Sequence, residues 1–392
     1  MQYRKDRQGN AVSILGFGCM RFTRKGRDID YDKAEAEILR AIDLGVNYFD
    51  TAYLYPGSEE LLGTVLARNG KRDQVRIATK LPQYLVKTAG MIDRFFDEEL
   101  SRLQTDHVDY YLMHMITDVS QWEKLQRLGI EEWIAAKKES GAIGQIGFSY
   151  HGDTEGFLRV LHAYDWDFCQ IQYNYLDEHA QAGRAGLMAA AERGIPVIIM
   201  EPLRGGKLVD LMPEKGRELI AANAHGWSAA EMAFRWLWDQ PEVTVVLSGM
   251  NSLEMVEENC RVASEVEPNT WTEDDFALVE DVCKAINERV KVGCTGCGYC
   301  MPCPKGVDIP ALFRCWNQMY TEGKNEGRKE YWQAVSLRRE KAFARQCVKC
   351  GTCESHCPQG IPIRELIHVA DRELRPLPWR IAGDVMRAFA VK

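Results

Sequence analysis

Between about residue 10 and residue 265, eight short apolar runs alternate with longer stretches whose apolar residues recur at helical spacing. The runs are Ser13–Cys19, Val46–Asp50, Val75–Thr79, Val108–Leu112, Ile143–Phe148, Phe168–Gln172, Pro196–Met200 and Val243–Leu247. Each is brief and apolar on both alternating positions, which marks a strand buried on both faces rather than one with a wet side. Asp32–Leu44, Met91–Leu103 and Ser228–Asp239 have the length of crossover helices, with N-caps expected at Asp32 and Ser228. Eight such pairs predict an α/β fold, a closed (β/α)8 TIM barrel of roughly 250 residues. An open doubly wound sheet shares the alternation but normally carries G-x-G-x-x-G after its first strand. Gly16-Phe-Gly-Cys-Met-Arg21 supplies only the first two of those glycines, so the barrel is preferred.

The chain has 392 residues, which leaves room for a second module. We expect the barrel over 1–265, a connecting helix within 266–291, a second domain over 292–372 and a C-terminal tail at 373–392. Nine of the 13 cysteines fall in that second domain, eight of them in two tight runs. They are Cys294, Cys297, Cys300 and Cys303, followed by Pro304, and Cys347, Cys350, Cys353 and Cys357, followed by Pro358. Three thiolates at three-residue spacing wrap three corners of a cubane, and a remote Cys-Pro completes it. The second run matches the bacterial ferredoxin pattern; the first is one residue short before its last cysteine. Zinc ribbons use pairs of C-x-x-C rather than such triplets. The expectation is therefore a small, mainly α-helical, ferredoxin-like domain with two 4Fe-4S clusters. By the cross-ligation rule of two-cluster ferredoxins, Cys294, Cys297, Cys300 and Cys357 hold one, and Cys303, Cys347, Cys350 and Cys353 the other. Cys19, Cys169, Cys260, Cys283 and Cys315 are scattered and read as small hydrophobes, with Cys19, which follows the first strand near the cofactor face, a modest exception as a candidate for ligand contact.

Clustered thiols kept for metal point to a reducing compartment. No run of 18 apolar residues occurs and Met1–Asp6 lacks a signal-peptide core, so a cytoplasmic protein without a membrane span is expected. A net charge of −8 with no basic stripe argues against nucleic acid as a partner.

With the strands so placed, Asp50, Lys80 and His114 fall at the C-terminal ends of strands two, three and four, where barrels do chemistry. Tyr55 follows on the loop after Asp50. Reducing a carbonyl by hydride needs a proton donor to the developing alkoxide. A tyrosine serves once a neighbouring cation lowers its pKa, and Lys80, paired with Asp50, is that cation. A neutral His114 can orient the carbonyl oxygen. Singly each residue has an ordinary explanation as a turn residue, a rim aromatic, a solvated charge or a core histidine; the combination is what carries meaning.

Gly45-Val-Asn-Tyr-Phe-Asp50-Thr-Ala-Tyr-Leu-Tyr55, Ala78-Thr-Lys80 and Tyr111-Leu-Met-His114 resemble the aldo/keto reductases, whose Asp, Tyr, Lys and His tetrad runs in this order. The resemblance spans about residues 10 to 265 and implies NADPH or NADH as cofactor and a small carbonyl or alcohol as substrate. It also implies that Ser149 and Gln170 hold the nicotinamide carboxamide. Gly249, Ser252, Glu258 and Asn259 resemble the grip on phosphate and adenine, and Met20 and Leu203 complete the implied contacts. Two positions depart from the family: Met200 stands where a stacking tyrosine is frequent, and Met255 where an arginine often meets the 2′-phosphate. Tyr53, Tyr150 and Trp122 are candidate pocket aromatics.

A nicotinamide delivers two electrons and a cubane passes one, so the halves do not couple without an intermediary. The favoured expectation is NAD(P)H-dependent carbonyl reduction at Tyr55, with the clusters structural or accessory. The alternatives are an electron-transfer protein with a redox partner protein, and a non-catalytic iron–sulfur sensor or interaction protein.

Overall fold

The structure, a computed structural model, describes every residue except Arg27, Asp153, Thr295, Cys297, Gln333, Ala334, 336–342, Pro358 and 381–392. The chain forms two compact units, one of Met1–Leu208 with His225–Phe276, the other of Val209–Ala224 with the chain from Ala277 onward. Segment 209–224, read from sequence as barrel, thus belongs to the second unit.

In the first unit eight parallel strands close on themselves in chain order. They are Leu15–Gly18, Tyr48–Asp50, Arg76–Leu81, Val108–Ile116, Ile143–Tyr150, Phe168–Gln172, Val197–Met200 and Val243–Ser248. The first pairs with the second through Gly18 opposite Asp50, and with the eighth through Phe17 opposite Ser248, which completes the ring. All eight expected strands are present. The fourth and fifth run past their expected ends, to Ile116 and Tyr150, because the register shifts between Met113 and Ile116 and lets pairing resume beyond the irregularity. Inside the barrel Tyr48, Tyr110, Leu112, Phe168, Ile198 and Val245 pack as one apolar cluster. That filled core confines chemistry to the loops at the strand ends.

A hairpin the sequence reading did not anticipate, Tyr3–Lys5 against Ala11–Ser13, precedes the barrel. Its turn is held by Asp6, which accepts from Asn10 N at 2.8 Å and from the Tyr110 hydroxyl at 2.7 Å at the beginning of the fourth strand. The helix after the first strand spans Tyr31–Asp43 and its N-cap is Asp30 rather than Asp32. Asp30 has the extended backbone a cap requires, whereas Asp32 sits in the first turn and complements the helix dipole. Ser228 caps Ala229–Trp238 as expected, accepting from Glu231 N.

The second unit is helical among its described residues. Ile309–Thr321 packs against Lys324–Tyr331 and Ile363–Leu374 around Leu312, Phe313, Trp316, Tyr331 and Ile367. Several of the cysteines border this core. In the described part of the tail, Trp379 packs on Trp332 at 5.8 Å, within this unit; the rest of the tail lies outside the described residues.

Candidate active site and cysteine cavities

Asp50 is the last residue of the second strand, Lys80 lies one residue before the end of the third, and His114 sits at the irregular end of the fourth. Parallel pairing brings these three C-terminal ends to one rim. Lys80 Nζ donates to Asp50 Oδ1 at 2.7 Å and to the Thr51 carbonyl at 2.6 Å, and both charged residues are buried. The same ammonium lies 5.1 Å from the Tyr55 ring centroid. The Tyr55 and His114 rings meet edge-on at 6.1 Å. The Tyr55 loop is fixed from beneath: Tyr55 N donates to Ala52 O, Ser58 N to Tyr55 O, and Ser58 Oγ to Cys19 O.

Electrostatics assign protonation. Burial, Lys80 and His151 together hold His114 well down, at about 3, so its imidazole is neutral. Burial alone depresses Lys80, but Asp50 and Tyr55 lift it above the ordinary lysine value, so it stays an ammonium. Tyr55 departs from the sequence expectation. Lys80 does pull its pKa down, yet burial outweighs that pull and the phenol sits above its usual value. Desolvating a phenolate costs more here than one ammonium returns. Tyr55 is accordingly loaded with its proton at neutral pH.

Ser149 and Gln170 stand opposite one another in register on strands five and six. Ser149 Oγ accepts from Met115 N at 2.8 Å, leaving its own hydrogen to donate elsewhere. Gln170 Oε1 is buried with no hydrogen-bond partner among the described residues, while its Nε2 faces Met200 Sδ at 3.6 Å. A buried amide oxygen without a donor is costly and calls for a ligand N–H. Ser252 caps the helix Leu253–Glu265 and accepts from Met255 N; Glu258 accepts from Ser228 Oγ, and Asn259 Nδ2 donates to Ser248 Oγ at 3.1 Å. Met20 and Met255 are exposed, and Met200 and Leu203 are half-buried.

Two neighbours were missed from sequence. His151, one residue past the fifth strand, adds to the depression of His114. Arg21 lies across the ends of strands seven and eight: a Cβ on Gly205 would stand 2.6 Å from Arg21 Nη2, and one on Gly249 would stand 3.2 Å from Arg21 Cβ. Its only sequence signal is its place after the first strand. Trp122 does not line a pocket; it is fully buried against Tyr164 and Trp166. Tyr150 is likewise packed on Phe148 and Phe157. Cys19 is buried and its thiol pushed far up by burial, so it is inert.

The cysteines of the second unit border two cavities. Cys303, Cys347, Cys350 and Cys353 share one, which Cys300 also touches. Cys294, Cys300 and Cys357 share the other; Cys297 lies outside the described residues. Within the described residues no three His, Cys, Asp or Glu side chains converge on a single point. A cubane spreads its thiolates over four irons, so its ligands ring a body instead of gathering about one centre. The sulfur-lined walls fit that group.

The sequence model of the aldo/keto reductase family matches residues 14–283. The chain belongs to the aldo/keto reductase family. A 4Fe-4S dicluster domain model matches residues 293–361, C-terminal to the reductase. L-galactose dehydrogenase of Arabidopsis thaliana is 30% identical over 317 residues, covering 72% of this chain and 93% of that protein. An NADP(+)-designated aldo-keto reductase of Schizosaccharomyces pombe is 24% identical over 291 residues, covering 64% and 83%. Among solved structures, an aldo-keto reductase of Bacillus halodurans in its holo form superposes with a TM-score of 0.59 at 25% identity, covering 73% of this chain and 97% of that one. This aldo/keto reductase is an oxidoreductase with an appended 4Fe-4S domain. Among the described residues it has no helix long and apolar enough to cross a membrane.

Proposed function

We propose that the protein reduces a small aldehyde or ketone reversibly with Tyr55 as proton donor, NADPH or NADH supplying the hydride when bound. The observation that carries this reading is the proton-loaded Tyr55 beside the buried Lys80–Asp50 pair. Lys80 stabilises the phenolate left after transfer, Asp50 holds the ammonium in place, and neutral His114 donates to the carbonyl oxygen so that it faces Tyr55. Ser149 and Gln170 suit a carboxamide, one as donor and one as acceptor. Arg21, which makes no ion pair among the described residues, packs over Gly205 and Gly249 and offers a cation there for a phosphate group. Met255 supplies no charge for a 2′-phosphate, so the reading does not choose between NADPH and NADH.

In the second unit, eight cysteines are proposed to hold two 4Fe-4S clusters in the crossed pairing, which the two cavity walls support. Clusters in this role exchange single electrons or brace the helices around them. The test of the reductase reading is Tyr55→Phe. Reduction of a panel of aldehydes should fall by at least about a hundredfold, while nucleotide affinity, read by quenching of intrinsic fluorescence, stays within about twofold. Retained turnover would remove Tyr55 from the proton-donor role.

A further inference from the structure

The two cysteine cavities have unlike walls. The one bounded by Cys303, Cys347, Cys350 and Cys353 is also lined by Lys305 and Arg364. The guanidinium of Arg364 lies over the loop between two of those cysteines, since a Cβ on Gly351 would stand 3.4 Å from Arg364 Nη1. Glu354 fixes it there, accepting from Arg364 Nε at 2.7 Å and from Arg364 N at 2.7 Å. Two sulfurs on this side also take part in hydrogen bonds: Lys349 N donates to Cys347 Sγ at 3.3 Å, and Cys350 Sγ meets Thr352 Oγ1 at 3.5 Å. Cys350 itself is exposed. The other cavity, behind Cys294, Cys300 and Cys357, is walled by Ile309, Phe313 and Ile361 and by the neutral Gln359, with no charged side chain among the described residues that line it.

Resting on the reading that each set of cysteines holds a 4Fe-4S cluster, we propose that Lys305 and Arg364 make the cluster at Cys303, Cys347, Cys350 and Cys353 the easier of the two to reduce. Reduction adds one negative charge to an already anionic group. Cations, hydrogen bonds to sulfur and access to water all favour that added charge, and an uncharged apolar wall opposes it. Among the described lining residues the cations stand on one side only, and the hydrogen bonds to Cys347 and Cys350 act in the same direction there. Glu354 opposes them, and because it is ion-paired with Arg364 the two residues must act with opposite sign on the same cluster. A single electron delivered to the protein therefore settles on the cluster beside Arg364.

The experiment is an anaerobic, EPR-monitored redox titration of the full-length protein with dithionite as reductant, on wild type, K305Q/R364Q, E354Q and Q359K. Iron content is measured on each. Wild type should titrate in two one-electron steps. K305Q/R364Q should lower the ratio of reduced to oxidised cluster about tenfold at fixed potential, or about 59 mV for one electron, in the higher-potential step only. E354Q should raise the same step, and Q359K should raise the lower step and narrow the gap. If the step that moves in K305Q/R364Q is the lower one, or neither step moves while iron is retained, the proposal is overturned. Wild-type protein that lacks iron when prepared without oxygen would instead remove the cluster reading itself.

Discussion

Lys80 and Asp50, from neighbouring strands, meet at 2.7 Å with both side chains withdrawn from water. Asp50 Oδ2 has no partner of its own among the described residues, so the pair is under-satisfied by one acceptor. A buried ion pair costs more to break from one side than it contributes when whole. Lys80→Met should therefore lose roughly 3–5 kcal/mol of stability as well as reductase activity. Thermal unfolding should show the loss, and the double variant Lys80→Met/Asp50→Asn should recover much of it without recovering turnover. A double variant no more stable than the single one would show that the pair is not what burial has strained.

The protonation pattern fixes the pH profile of carbonyl reduction. With His114 held near 3, its imidazole stays neutral from pH 5 to 9, and no limb near the ordinary histidine pKa should appear. Tyr55 is an acid whose pKa is raised, so it keeps its proton up to and beyond the usual tyrosine range. Reduction should hold steady across neutral pH and fall only in strong alkali, whereas alcohol oxidation, which needs the phenolate, should rise over the same interval. Steady-state kcat/KM measured in both directions between pH 5 and 10.5 checks this. An inflection between pH 6 and 7 that survives His151→Gln would assign His114 a charge it should not carry.

Glu37 predicts a pH dependence of stability away from the chemistry. It is buried in the helix Tyr31–Asp43, neither carboxylate oxygen has a hydrogen-bond partner among the described residues, and Lys33 Nζ stands off at 4.0 Å. Burial lifts its pKa from 4.5 to about 7, against a small opposing pull from Lys33. A carboxyl whose folded pKa is raised binds its proton more tightly in the native state, so stability falls as pH rises from the unfolded value through the folded one. The loss is complete above about pH 7 and amounts to as much as about 3 kcal/mol. Glu37→Gln should therefore raise Tm at pH 8 and leave it unchanged at pH 4. Equal effects at both pH values would mean that packing, not ionisation, sets the cost.

The barrel was legible because its strands are buried on both faces: Phe168–Gln172 has the same bounds in sequence and structure, and Val243–Ser248 differs by one residue. What escaped depends on geometry that no residue pattern announces. The hairpin Tyr3–Lys5 with Ala11–Ser13 is short and partly exposed, so it lacks the apolar signature of the barrel strands. Met115 takes a left-handed backbone, φ 55°, at the irregular end of the fourth strand, and β-propensity cannot foresee that turn. The net rise of the Tyr55 pKa follows from a balance between burial and one cation, and burial is not written in the spacing of Asp50, Tyr55, Lys80 and His114. Arg21 comes to Gly205 and Gly249 only because the barrel closes strand eight onto strand one.

The crossed assignment of the cysteines leads to a test by pairs. Cys294 and Cys357 are 63 residues apart in sequence, 357 less 294, yet border one cavity, and Cys303 borders the other with Cys350. If one cluster needs Cys294 and Cys357 together, Cys294→Ala and Cys357→Ala should lose the same EPR signal, and Cys303→Ala and Cys350→Ala the other, each with about half the iron. Assignment by proximity in sequence makes the opposite forecast, since Cys303 would then fail together with Cys294, and Cys357 with Cys350. The two patterns share no outcome. The choice between them rests on the cavity walls: Cys303 lines one with Cys347, Cys350 and Cys353, and Cys357 lines the other with Cys294 and Cys300. Signals lost in the sequential pairs would mean that Cys303 and Cys357 each ligate the cluster of the triplet they follow in sequence.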